Sequence, residues 1–349
     1  MPAREPMPQW NRRSVIGAGL GLLAAPVIGA GVASAAEATV TPQIVRLAPG
    51  LDRYLSVDTP IETIATGIRW AEGPVWVPHG DYLLFSDPPA NVIRRWSRAK
   101  GTELFLSPSD AVAPDPATVR EGGSNGLTLD HSGNLLIAGS GSRAVVRLDL
   151  KTKRRTVLVD RYQGKRFNSV NDLCVAADGA IYFTDPPYGL VGGDQSALKE
   201  QPHNGVYRWT PGGAVELVDG TLSRPNGIAL SGDGKTLFVS VSDEQEPRIM
   251  AYALDAHGLP TARTLWLDAK PMLAKAAPGL PDGMKIARDG THFNSVPGGM
   301  MLLTPEAEPL GLIATGAPIP NCAFGEDGRT LFLTANDRVL RLRLKVSAL

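Results

Sequence analysis

Cysteine is almost missing from this chain: Cys174 and Cys322 are the only two among 349 residues. A disulfide-stapled scaffold is thereby excluded. Both follow strand-starting motifs in distant repeats, so two free, buried thiols are expected rather than a bridge. Net charge is missing too, since 35 basic residues balance 35 acidic ones and neither sign forms a long run. Nucleic acid and anionic membranes both want a basic face, so they are excluded as main partners; a small, weakly charged ligand fits better. The five histidines, His79, His131, His203, His257 and His292, show no metal-binding spacing. No apolar run reaches the ~20 residues of a membrane-spanning helix, and no long amphipathic helix stands out.

What is present is turn chemistry, with 38 glycines and 29 prolines, beside a hydrophobic content of 43% that can fill a sizeable core. The first residues read as an address. Arg12-Arg13 precede a Gly-rich, modestly apolar stretch from Val15 to Ile28, and Ala33-Ser34-Ala35 supplies a small-residue cleavage pattern. Residues 1–35 are therefore expected to be a cleavable export signal of the twin-arginine kind, sending the protein to the periplasm or outside the cell. Its removal takes away Arg4, Arg12, Arg13 and Glu5 and leaves the remainder slightly acidic. No stable membrane insertion is expected afterwards.

A short unit then recurs six times: a polar residue, an apolar strand, a turn with glycine, and a second β-rich strand. The turn glycines are Gly80, Gly133, Gly179, Gly234, Gly290 and Gly328. The strands after them begin at Tyr82, Asn134, Ile181, Thr236, His292 and Thr330. Their spacings, 53, 46, 55, 56 and 38 residues, suit propeller blades better than a solenoid. The expectation is an all-β, six-bladed β-propeller over 61–349, preceded by a lead-in segment over 36–60.

Counting back from each turn finds Glu72, Asn125, Asn171, Asn226 and Asp282 eight residues before their glycine, and Asn321 seven before Gly328. If each starts the innermost strand of a blade, pseudo-sixfold symmetry gathers all six at one mouth of the channel. Such a ring offers two carboxylates and four amides. Oxygen donors alone suit a hard cation, calcium ahead of magnesium or manganese, and disfavour zinc. The returning strands deliver Asp87 and Asp185 near the same end, each opening an Asp-Pro-Pro segment, with Tyr188 just beyond and Asp172 beside Asn171. The G-x-S-x-G match at Gly122 to Gly126 is set aside, because a nucleophile elbow needs a helix after it and this one opens a strand. Gly139-Ser140-Gly141 and Gly298-Gly299 are read as turns, since no helix follows to receive a phosphate.

These motifs resemble the regucalcin (senescence-marker-protein) and gluconolactonase family of six-bladed propellers. The resemblance runs from about Ile61 to Arg343. It is carried by Trp70-Ala71-Glu72-Gly73-Pro74-Val75-Trp76, Leu84-Phe85-Ser86-Asp87-Pro88-Pro89, Arg166-Phe167-Asn168-Ser169 and Tyr182-Phe183-Thr184-Asp185-Pro186-Pro187-Tyr188. Ser223-Arg224-Pro225-Asn226-Gly227, Leu280-Pro281-Asp282-Gly283-Met284 and Ala323-Phe324-Gly325 complete it. With the export signal, the chain looks most like an exported bacterial gluconolactonase.

The resemblance implies a calcium-type site of Glu72, Asn171, Asn226 and Asp282. It makes Asn125 a substrate or supporting contact and Asn321 a weaker one. Asn171, Asp185 and Tyr188 are further candidates for touching substrate. It also implies hydrolysis of a sugar lactone, glucono-1,5-lactone to gluconate, with Asp282 as first candidate for base and Glu72 beside it. Rival readings are a lactonase for another ring or an organophosphate hydrolase on the same site, and a binding propeller with structural calcium. Two departures from the family pattern are Val170, where proline is usual, and the polar His292 and Asn294 in a normally more apolar strand.

Overall fold

The structure, a computed structural model, describes residues 41–349 except 113 and 274–276. The export signal read over 1–35 lies outside the described residues. Six antiparallel sheets follow one another along the chain, and their innermost strands neighbour each other in a closed ring, which makes a six-bladed propeller. Blade 1 begins at Glu72–Val77, blade 2 at Ser124–Leu129 and blade 3 at Leu173–Val175. Blade 4 begins at Pro225–Leu230, blade 5 at Met284–Ile286 and blade 6 at Asn321–Gly325.

Position within a blade explains the strand sequences. Second strands such as Leu135–Gly139 and Ile181–Asp185 are covered on both faces by adjacent blades and are buried throughout. Outer strands such as Gly101–Leu106 alternate toward solvent. The core is accordingly divided into six clusters, one at each blade–blade interface. Between blades 6 and 1, Trp76 stacks on Phe332 at 5.5 Å, and Trp96 packs on the same ring at 5.7 Å. Such aromatic pairs contribute about 0.5–1.5 kcal/mol each beyond the area they bury.

The chain start closes the ring. Glu62–Ala65 pairs with Arg338–Arg343 and completes blade 6 from the opposite end of the sequence. The expected lead-in is not separate from the propeller. Gln43–Arg46 adds a fifth strand to blade 5 against Pro309–Ala314, and Leu51, Tyr54 and Leu55 are buried in the core between blades 5 and 6. Its strand was hidden because four residues carry too little pattern to read. No helix among the described residues is long and apolar enough to cross a membrane. Both cysteines are free: Cys322 is buried and Cys174 half-buried.

The six turn glycines fall where expected, with one exception in detail. Five adopt positive φ, but in blade 1 Asp81 (φ 51°) takes that conformation instead of Gly80.

Candidate functional site

Glu72 and Asn321 open an innermost strand, Asn125 and Asn226 are second in theirs, and Asn171 and Asp282 lie two residues before theirs. The glycine that follows several of them has a packing reason. A Cβ on Gly73 would lie 2.0 Å from Asn125 O, and one on Gly227 would lie 2.1 Å from Asp282 O. One on Gly126 or Gly283 would strike Asp172 or the Asn321 side chain. Each of these glycines faces the next blade, so removing the side chain lets neighbouring ring residues approach closely. The Glu-Gly, Asn-Gly and Asp-Gly pairs are therefore closure devices as well as strand starts.

Five of the six, Glu72, Asn125, Asn171, Asn226 and Asp282, line one cavity of about 920 Å³. Asn321 does not. Its Oδ1 accepts the Cys322 N–H at 2.9 Å, and its side chain packs where Gly283 leaves room. The backbone of Asn171 is engaged, N–H to Thr184 O at 2.9 Å and carbonyl from Gly126 N at 2.7 Å, which leaves its side-chain amide for the cavity. Asn226 Nδ2 donates to Ser242 Oγ at 2.9 Å, so its Oδ1 is the atom free to accept or ligate. Ser242 Oγ in turn donates to Pro281 O at 2.5 Å, tying Asn226 to the residue before Asp282.

The electrostatics are unusual. Burial pushes the Glu72 carboxyl up to about 8, with the Gly73 N–H bond (3.0 Å) opposing and the nearby Asp172 charge adding. Asp282 is pushed up strongly, first by burial and then by Glu72. Asp172 is raised by burial and has one oxygen without a partner; Glu121 is also raised by burial. No lysine or arginine forms an ion pair with Glu72 or Asp282 among the described residues. The arginines at the cavity pair elsewhere, Arg120 with Glu121 at 3.3 Å and Arg224 with Asp194 at 2.5 Å. Buried like charges with no counter-charge demand either a proton or a cation. No three His, Cys, Asp or Glu side chains gather to hold a metal among the described residues, so amide oxygens must complete any such set. Two carboxylates with Asn171 and Asn226 meet that condition, and all four line the cavity.

Tyr188 lines the cavity too, and its hydroxyl is buried without a protein partner. Asp185 is a correction. It is fully buried, does not line the cavity, and gives both oxygens to the backbone N–H groups of Asn168 and Ser169. Asp87 behaves alike toward Arg69 and Trp70. Ser124 of the G-x-S-x-G match shares a hydrogen bond with Ser86 at 2.9 Å and is buried, with no histidine bonded to it.

Sequence reasoning missed Trp70, Arg120, Glu121, Ser223, Arg224 and Ser242 as cavity residues. Trp70 belonged to a quoted motif, but nothing local marked its direction. Arg120 and Glu121 lie just before the first strand of blade 2, where the chain meets the segment after Tyr188. Arg120 N donates to Gly189 O at 2.8 Å, Val191 N donates to Thr118 O at 2.9 Å, and Val119 bridges Leu190. The chain carrying Arg120 and Glu121 is thus held by backbone bonds to the segment just after Tyr188.

Comparison with known proteins agrees with this architecture. Residues 70–337 match the SMP-30/gluconolactonase/LRE-like region. A gluconolactonase from Zymomonas mobilis is 50% identical over 307 residues, covering 87% of this chain and 86% of that protein. The structure of a gluconolactonase from Xanthomonas campestris aligns with a TM-score of 0.74 at 29% identity, over 87% of this chain and 97% of the other. Regucalcin from Agrobacterium tumefaciens shares the fold, with a TM-score of 0.65 at 18% identity over 82% and 95% of the two chains. The chain belongs to the SMP-30/gluconolactonase/LRE-like family.

Proposed function

We propose that this protein opens a sugar lactone, glucono-1,5-lactone to gluconate first among substrates, in the cavity at the channel mouth. A divalent cation, calcium before magnesium or manganese, would be held there by Glu72, Asn171, Asn226 and Asp282. The observation that carries the metal is the pair of buried carboxylates, Glu72 and Asp282, without a basic partner beside two available amides. The lactone rests on the half-identical gluconolactonase of Zymomonas mobilis.

When bound, the cation supplies Lewis-acid polarisation of an acyl carbonyl and acidifies a nearby water. The chain's own groups do the rest. Water attacks the lactone carbonyl, the acyl–oxygen bond breaks, and the ring oxygen leaves as a hydroxyl, giving the aldonate and one proton. Asp282, which lines the cavity, is the first candidate for the general base that takes the water's proton. The unpartnered Tyr188 hydroxyl is placed to donate to substrate oxygen, and Asn125 to bind sugar hydroxyls.

Acid release from glucono-1,5-lactone, corrected for spontaneous opening, tests this reading. It should stop on chelation and return with calcium; full rate in chelator would refute the cation's role. Parallel rates on simple γ-lactones and a fluorophosphate separate the sugar lactone from other substrates of the same site. Export to the periplasm or beyond belongs to the proposal through Arg12-Arg13 and Ala33-Ser34-Ala35. The N-terminus of protein recovered from cell fractions checks it.

A further inference from the structure

Asp87 and Asp185 each end the second strand of a blade, blades 1 and 3, and neither faces the cavity. Both are completely buried. Each uses both oxygens on two consecutive backbone N–H groups. Asp87 Oδ2 accepts Arg69 N at 3.2 Å and Oδ1 accepts Trp70 N at 3.3 Å. Asp185 Oδ2 accepts Asn168 N at 2.7 Å and Oδ1 accepts Ser169 N at 2.8 Å. The register is identical: the bonded groups lie three and two residues before Glu72 in one blade, and three and two before Asn171 in the other.

We propose that Asp87 and Asp185 are positioning residues, two matched carboxylate clamps that fix the chain carrying Glu72 and Asn171 before any cation binds. The inference rests on the reading of those two residues as cation ligands. A carboxyl group bonded to two successive N–H groups holds both peptide planes at once. The blade 3 clamp reaches further. Asn168 Nδ2 donates to Asp185 O at 2.9 Å, and Ser169 Oγ accepts Gly189 N at 2.9 Å, so the chain beside Tyr188 is tied to the same loop.

The second strands of blades 2, 4, 5 and 6 end at Gly139, Val241, Val296 and Ala335, none of which is a carboxylate. The clamps therefore occur on two blades that supply a ligand. The remaining ligands, Asn226 and Asp282, are linked through Ser242 instead. Three anchoring devices thus serve four ligands. A turn cap with no bearing on the site has no reason to repeat this register only there.

The test uses calcium alone as probe, titrated calorimetrically into chelator-stripped protein, with Tm recorded in chelator. Asp87→Asn and Asp185→Asn keep the volume but turn an NH2 toward one of the two N–H donors. Each should weaken calcium binding by about 10-fold or more, the usual consequence of losing a group that orients a ligand. Asp219→Asn is the control. Asp219 is a buried carboxylate that accepts Thr221 N and Tyr252 OH but lies outside the cavity lining, so its loss should lower Tm and leave calcium affinity unchanged. Asparagine variants that bind calcium like wild type while losing Tm would reduce the clamps to fold-building and overturn the inference.

Wild-type protein that takes up no divalent cation would defeat the ligand reading itself. Hydrogen exchange of wild type in chelator then judges the clamps separately and needs no variant to fold. The Arg69, Trp70, Asn168 and Ser169 amides should be as protected as the strand ladders. Fast exchange at those four would show that nothing is fixed beforehand.

Discussion

Carboxylates occupy the two ends of the blade strands in opposite ways. At the turns away from the cavity, Asp233, Asp255 and Asp327 sit in solvent and are held below the usual carboxylate range by hydrogen bonds, chiefly from the Ser231 hydroxyl, the Leu259 N–H and the Arg343 guanidinium respectively. At the cavity, Glu72 and Asp282 are pushed up, first by burial and then by neighbouring carboxylates, Asp172 for Glu72 and Glu72 for Asp282. The first set stabilises local turns. The second costs the empty protein stability and keeps capacity for a positive ligand. The same functional group is a structural part at one end and a poised binding group at the other, and only its surroundings differ.

The sharpest way to break that contrast is Glu72→Gln. It should lower lactone turnover by at least about 100-fold, beyond the loss of a supporting group, and remove calcium-induced stabilisation. In chelator its Tm should hold or rise, because a buried carboxyl that only a proton or a cation can relieve is replaced by a neutral amide of the same size. A clear fall in chelated Tm would show that Glu72 is a structural carboxylate after all.

His292 offers an intermediate case, burial without a partner charge. It is stacked on Trp266 at 4.2 Å and meets the edge of Phe238 at 4.5 Å, with Nδ1 unpartnered. Burial pushes its pKa down to about 4 from 6.5. As pH falls below 6.5, the unfolded chain gains a proton that the folded chain refuses until about pH 4, so stability is lost across that window. The size is about 3 kcal/mol. His292→Phe keeps the ring packing, and urea unfolding of both proteins at pH 7 and pH 4 should show the variant losing that much less. Equal losses would place the acid sensitivity elsewhere.

The smallest effect is expected at the turn end. Asp233→Ala removes bonds from Ser231 Oγ (2.6 Å) and Lys235 N (3.1 Å) at an exposed turn. Tm should fall by no more than about 2 °C, with lactone turnover unchanged. Lost activity there would blur the distinction between the two ends.

Much of this was legible in order along the chain. The glycine turns at 133, 179, 234, 290 and 328 need positive φ, and the apolar runs after them are second strands covered on both faces. Those requirements are local, so they leave a periodic mark. The ring positions inherit the same period, which is why five of six reached one cavity. The closing strand Glu62–Ala65 and the extra strand Gln43–Arg46 left no such mark, since each takes its identity from a partner more than 250 residues away.

Residue type and spacing alone were enough to specify six blades and an oxygen-rich ring, because turn geometry and strand burial act within a few neighbours. They could not specify direction. Asn321, Asp87 and Asp185 have the right chemistry yet turn into the protein, while Trp70, Glu121 and Ser242 carried no repeat signal and face the cavity. Where such a side chain points depends on which backbone N–H groups lie within reach, and for Asp87 and Asp185 those groups are 16 to 18 residues away and are brought near only by the fold.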